Sequence, residues 1–201
     1  MSTQDDRTRS LAADRGTVSP RQLAHVVRRT GRFDELVQWY CTVLGARVVF
    51  TDGMLAFLTY DDEHHRIAVA RIPGLEAQPA MAAGTDHIAF TYADLGDLLH
   101  TYERLKHEDI TPYWCINHGP TTSMYYKDPD GSRVELQVDN MPSIAAIDTW
   151  MQSGAFAANP IGVVYDPEEL LARYRAGEPL ETLTARPPLP DGVGPFEMLR
   201  F

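Results

Sequence analysis

The sequence predicts an α+β fold in which two βαβββ modules curl into one cupped mixed sheet, and three observations predict it. The segment after residue 20 reads as strand, helix and three strands, and the same order restarts near residue 85. Short matches align the copies: His25 and His87 fall at equivalent places, and Arg66-Ile67-Ala68 matches Arg133-Val134-Glu135. A single unit cannot cover both faces of its own sheet, whereas two can share a core, with helices outside and a hollow within. The length of 201 residues suits such a pair.

The elements follow in chain order. Residues 1–20 are polar and charged and read as a flexible tail. Leu23-Ala24-His25-Val26-Val27 reads as a strand, and Phe33 to Leu44 as an amphipathic helix that Gly45 stops, with Trp39 and Tyr40 on its packed face. Strands are expected at 46–50, 54–60 and 65–71, closing a first module at 21–72. The second module, 85–139, opens with the strand Asp86-His87-Ile88-Ala89-Phe90. It continues with a helix over Leu95 to Lys106 and strands near 112–116, 122–127 and 133–138. The loop 73–85 joins them and bears on the shape of the pocket. Residues 140–201 form a helical and proline-rich extension. Asp166-Pro167-Glu168-Glu169 predicts a helix start and Gly177 its stop, while five prolines between Pro179 and Pro195 predict an irregular stretch lying on a surface.

Composition narrows the function. Apolar residues make up 44% and charged residues 23%, a globular balance. A net charge of −10 argues against broad binding to nucleic acid or acidic lipid. No apolar run is long enough to span a membrane and none looks like a signal peptide. Cys41 and Cys115 are too few for a disulfide framework, so a cytoplasmic protein is expected. A homo-oligomer is the default for a soluble chain.

Candidate chemistry converges on the two module-opening histidines and Glu135. A carboxylate between Val134 and Leu136 is costly to bury unless it is paired or binds a metal. His25, His87 and Glu135, one from each of three strands around a hollow, would make a facial triad that holds iron(II) and leaves positions open. The plainer reading, hydrogen-bonded core histidines and a solvated acid, explains each residue singly but not their matched placement. Manganese(II) suits the same ligands. His100 and His107, among charged residues, read as solvated. Cys115 reads as a buried thiol, and Asp128-Pro129-Asp130-Gly131 as a turn.

The segment from His118 to Glu135 resembles the signature of extradiol ring-cleavage dioxygenases of the vicinal oxygen chelate (glyoxalase/bleomycin-resistance) superfamily. It has a His, a spacer, the apolar Met124 and Tyr125, then Asp128-Pro129-Asp130-Gly131 and the acid Glu135. The wider resemblance spans roughly residues 20–140, a small single-domain form. It implies iron(II) ligands at His25, His87 and Glu135, a pocket histidine at His118 and a substrate-steering tyrosine at Tyr125. His65 would be a distal histidine that handles protons beside the metal. The implied reaction opens a catechol-type diol with O2, both oxygen atoms entering the product. An alternative on the same scaffold is a glyoxalase-like isomerase, epimerase or lyase. Such enzymes typically use a fourth protein ligand, and the repeat puts Ala68 at that place, where nothing binds a metal. A metal-free binding module would have no use for the His-His-Glu set. Tyr125 and its neighbour Tyr126 point to opposite faces of their strand, so one of them lines the hollow.

Overall fold

In the computed structural model, residues 16–76, 79 and 82–200 are described; the rest of the tail at 1–15, parts of the loop 73–85 and Phe201 lie outside them. The first module is β1 (Val26–Thr30), α1 (Phe33–Leu44), β2 (Arg47–Thr51), β3 (Leu55–Thr59) and β4 (Ile67–Arg71). The second is β5 (His87–Thr91), α2 (Leu95–His107), β6 (Trp114–Asn117), β7 (Thr121–Lys127) and β8 (Arg133–Asp139). The repeat is exact in register. β1 runs parallel to β4 with Val26 opposite Ile67, and β5 parallel to β8 with Ile88 opposite Val134. Ala68 therefore stands in the first module where Glu135 stands in the second.

Both helices form for the reasons their sequences carry. Phe33, Leu36, Tyr40 and Val43 recur at helical spacing on the buried face of α1, and Gly45 in the left-handed region ends it. Asp94 caps α2 by accepting from the Asp97 amide, and Leu95, Leu98, Leu99, Tyr102 and Leu105 form its buried face. These two stripes meet the helix-facing residues of both sheets in one core, including Ala56, Leu58, Ile67 and Val69 from the first and Met124, Tyr126, Val134 and Leu136 from the second. Arg104 of α2 donates to the carbonyls of Thr42 and Val43 and so closes the end of α1.

The strands form two sheets, β1-β4-β3-β2 and β5-β8-β7-β6 plus one further strand, rather than the single cup expected from the repeat. The physical reason lies in the shared core. The modules are joined through their helix-bearing faces and through the Asp128–Gly131 turn, which docks on the first module. There Asp128, its side chain fully buried, accepts from Arg28 at 2.9 Å and from the amides of Asp130 and Ser132, and Thr30 donates to Asp130. With the modules fixed in that way, β1 and β5 each keep one edge unpaired among the described residues. The first strand also begins at Val26 rather than Leu23: its pairing with β4 starts at Val26 opposite Ile67, and the carbonyls of Leu23 and Ala24 accept from the Arg66 side chain instead.

The extension contains α3 (Ile144–Gln152), α4 (Ala155–Ala158), β9 (Val163–Val164), α5 (Pro167–Arg175), α6 (Leu180–Thr184) and a 3-10 turn at Pro195–Met198. β9 is the strand added to the second sheet, antiparallel to β6. The helix expected after Asp166 is present, with Asp166 capping it and Pro167 in its first turn. The irregular surface stretch expected from Pro179 onward is corrected at its start, where Pro179 precedes α6 instead of preventing it and Leu183 joins the main core, while residues 185–194 are irregular as expected. Further on, Leu189, Val193, Met198 and Leu199 pack on Trp114, Ile116 and Tyr125, covering the β6–β7 part of the second sheet's hollow face.

Candidate active site

Strand alternation decides which residues face that hollow. In β8, Val134 and Leu136 enter the core, so Glu135 faces the other way; in β7, Met124 and Tyr126 enter the core and leave Ser123 and Tyr125 on the hollow side. In β5, Phe90 packs on the core, which turns His87, Ala89 and Thr91 outward. Ala89 and Tyr125 both lie opposite Glu135 in register. His118 follows β6 and bends back over the same face.

These residues make one contact network. Glu135, only 4% exposed, lies 3.0 Å from His87 Nε2 and 4.0 Å from His118 Nε2. His118 Nε2 is 3.1 Å from the Tyr125 hydroxyl, and His87 Nδ1 is 2.7 Å from Asp86, which is itself ion-paired with Arg133. A cavity of about 390 Å³ opens beside them. Trp114 forms part of its wall, and Pro160, Ile161, Leu199 and Arg200 of the extension form another part. The Trp114 indole N–H is buried with no hydrogen-bond partner among the described residues.

Charge states follow from these contacts. Burial alone would raise the Glu135 carboxyl, but hydrogen bonds from His87, Ser123 and Tyr125 outweigh it, and the group stays below the usual carboxylate range. The hydrogen bond to Glu135, with Asp86 on the other ring nitrogen, raises His87. Burial lowers His118 below the ordinary histidine value and holds Tyr125 protonated far above neutrality. The His118 Nδ1 lies against the Ile161 carbonyl, which can only accept, so Nδ1 carries the proton and Nε2 of the neutral ring presents a lone pair to the cavity. Tyr125 has a single O–H, which serves either His118 or Glu135 at one time.

The extension fixes His118 from behind, and sequence reasoning did not find these residues. Asn159 accepts from the amides of Ile161 and Gly162 and so shapes the turn that delivers the Ile161 carbonyl. Gly162 has φ +117°, and a Cβ there would come within 2.4 Å of the Asn117 carbonyl oxygen and 2.9 Å of the His118 Cα. Arg186, stacked on Trp150, donates to the carbonyls of His118, Asn159 and Ala155. The Asn159-Pro160-Ile161-Gly162 run is a turn signal, but nothing local says what the turn touches.

The other expected site residues lie on the first sheet. His25 precedes β1; its ring is 4.4 Å from that of His65, which stacks on Phe57 and meets His64 at 2.6 Å between Nδ1 atoms. Burial and the neighbouring His25 and His64 rings hold His65 below the usual histidine range. One chain thus joins His87 to Glu135 and His25 to His65 but does not bring the two groups together, which corrects the expectation of a single convergent set. Among the described residues, no three His, Cys, Asp or Glu side chains are close enough to hold a metal ion. A facial His-His-Glu set therefore finds two of its three members, His87 and Glu135, within one chain. Cys115 is buried, its thiol pushed up to about 12 by that burial, and is no nucleophile.

Comparison with known proteins fits this arrangement. The chain is 45% identical to biphenyl-2,3-diol 1,2-dioxygenase 2 of Rhodococcus globerulus, over 84% of its own length and 88% of the relative's. It is 42% identical to biphenyl-2,3-diol 1,2-dioxygenase 3 of the same organism, over 85% and 90%. A solved glyoxylase/bleomycin resistance protein/dioxygenase domain from Frankia sp. EAN1pec shares the fold. It has a TM-score of 0.51 at 17% identity, with 60% of this chain and 99% of that one covered. Residues 22–136, which hold both modules but for the end of β8 and include every residue of the network around Glu135, match the Glyoxalase/Bleomycin resistance protein/Dioxygenase superfamily, and the chain belongs to it.

Proposed function

We propose that the protein is an extradiol dioxygenase that opens the ring of a catechol with O2, and that its diol carries a second apolar ring, as biphenyl-2,3-diol does. The observation that carries the reading is the 45% identity to a biphenyl-2,3-diol 1,2-dioxygenase, which extends over 84% of the chain and so takes in much more than the core fold. Enzymes of this kind depend on a metal. Iron(II), with manganese(II) as the second choice, is the ion we propose for His87 and Glu135, and when bound it would supply the electron coupling between diol and O2; His25, the third ligand expected from the sequence, stands with His65 on the first sheet, apart from that pair.

The roles of the chain's own residues follow from their protonation. His118, neutral with its proton on Nδ1, takes a hydroxyl proton at Nε2. Tyr125 stays protonated and donates to a diol oxygen, replacing its contact with His118. Trp114, Ile161 and Leu199 offer apolar wall to a bulky ring and exclude water. His65 is assigned the distal proton-handling role. A glyoxalase-like reaction is disfavoured because Ala68, the counterpart of Glu135, offers no fourth ligand. No helix among the described residues is long and apolar enough to cross a membrane. With both cysteines free and a net charge of −10, we assign a cytoplasmic enzyme with no nucleic-acid partner.

The test is oxygen consumption by the anaerobically purified, iron(II)-loaded protein against a panel of catechols that includes biphenyl-2,3-diol. Uptake with a yellow ring-opened product is expected. A metal-loaded protein that consumes no oxygen with any member of the panel would overturn the assignment.

A further inference from the structure

The extension is held in two different ways. Up to Arg186 it is tied to the second module by hydrogen bonds. Val163 and Val164 pair with β6, and Tyr165 donates to the Cys115 carbonyl through its amide and to that of Ser123 through its hydroxyl. Asn117 donates to the Thr184 carbonyl at 2.9 Å, and Arg186 donates to the carbonyl of His118.

From Pro187 onward the bonding changes. Prolines at 187, 188 and 190 have no N–H to donate. The hydrogen bonds of residues 187–200 run within the stretch: the Val193 amide to the Pro190 carbonyl, the Gly194 amide to the Glu197 carboxylate, and the Leu199 amide to the Phe196 carbonyl. Among the described residues, what ties them to the modules is Arg133, which donates to the Arg200 carbonyl at 3.5 Å, the far limit of a hydrogen bond. The stretch is docked by the packing of Leu189, Val193, Met198 and Leu199 on Trp114, Ile116 and Tyr125. The turn at Pro195–Met198 aims it: Met198 enters the cluster at 5% exposure, Phe196 faces solvent at 69%, and Leu199 borders the cavity. The cavity thus has two sources. His87, His118 and Tyr125 come from the second module, and Leu199 from a segment held there mainly by apolar contact.

We propose that residues 187–200 are a separable arm that selects the substrate, with Leu199 the side chain that receives the ring attached to the diol. The hydrogen-bonded part up to Arg186 keeps His118 in place whatever the diol carries. The proposal rests on the ring-opening reading above, and its test separates the two. A two-ring diol fills the space beside Leu199 and pins the arm, whereas a bare catechol leaves that contact unmade. Opening the arm breaks few hydrogen bonds, so it opens ahead of the rest of the extension and admits a bulky diol.

Two measurements on the full-length chain test this. In hydrogen exchange read by mass spectrometry, residues 187–200 should exchange as a block, faster than 159–186. Biphenyl-2,3-diol, added without oxygen to the iron(II)-loaded protein, should slow that block while catechol does not. In steady-state kinetics, Leu199→Ala should cut the ratio of kcat/KM for biphenyl-2,3-diol to that for catechol about tenfold, the low end of what one apolar contact distinguishes. The change should lie chiefly in KM, and Leu199→Met should restore the ratio. Gly162→Ala, in the hydrogen-bonded part, should lower kcat for both diols and leave the ratio as in the wild type. An unchanged ratio in Leu199→Ala overturns the proposal, as does an arm that exchanges no faster than the residues before it or is slowed equally by catechol. If the iron-loaded wild-type protein turns over neither diol, the ring-opening reading falls, and the exchange measurement still decides whether the arm closes on a two-ring diol.

Discussion

The two βαβββ modules share connectivity and strand register, yet their hollow faces are finished differently. The first is left open, with His25 and His65 among exposed apolar groups, and has alanine at residue 68. In the second, the equivalent position holds a buried acid tied to two histidines and a tyrosine, and an extension of some sixty residues covers the β6–β7 part of the face. Residues 140–201 have no counterpart after the first module, and they supply what the first hollow lacks: a carbonyl that sets the tautomer of a histidine and an apolar wall beside it. The two modules share a frame, and only the second carries the buried acid and the covering extension.

Substitutions break or sharpen that contrast. Glu135→Ala makes the second hollow resemble the first, and kcat/KM for a catechol should fall on the order of 10³-fold, the scale of losing a preorganised charged group. Asp128→Ala attacks the joint between the modules, since it takes the carboxylate from Arg28, which keeps only the Ser132 hydroxyl, and from two turn amides. Urea unfolding should show a loss of about 3 kcal/mol, in the range for breaking a buried ion pair. His118→Ala should lower kcat about 10²-fold, as expected for a lost proton acceptor, while bound metal stays at the wild-type level. Gly162→Ala pushes the extension away from His118 without touching the cavity itself. A drop in kcat of about tenfold, with unchanged metal content, is expected from loosened positioning. An equal loss of metal in either of these last two variants would show that the second hollow is not divided between ligands and proton-handling groups.

Much of this was legible in the sequence where the signal is local or periodic. Leu36, Tyr40 and Val43 marked the buried face of α1, and the matched Ile67 and Val134 fixed the common register of the two modules. Alternation about Val134 and Leu136 set Glu135 on the hollow side, and it allowed only one of Tyr125 and Tyr126 there. What could not be read depends on contacts between distant parts of the chain. Nothing near Ile161 announces that its carbonyl meets His118, and nothing near Arg186 announces that its guanidinium closes three backbone carbonyls. Pro179 opens a proline-rich stretch that predicts irregular backbone, yet a proline ahead of a helix is no obstacle to it. The single cup failed as an expectation because pairing β1 with β5 competes with a core built from both helix-bearing faces. The Asp128 turn, anchored on Arg28 and Thr30, holds the second arrangement.

The most direct test of the reaction is the fate of oxygen. Iron(II)-loaded protein is given biphenyl-2,3-diol under 18O2, and the ring-opened product is weighed by mass spectrometry after brief reaction, with exchange into water controlled. Ring opening with both atoms of one O2 molecule in the product is the predicted result. A product that carries no label, or a diol rearranged or cleaved without oxygen, would contradict the assignment.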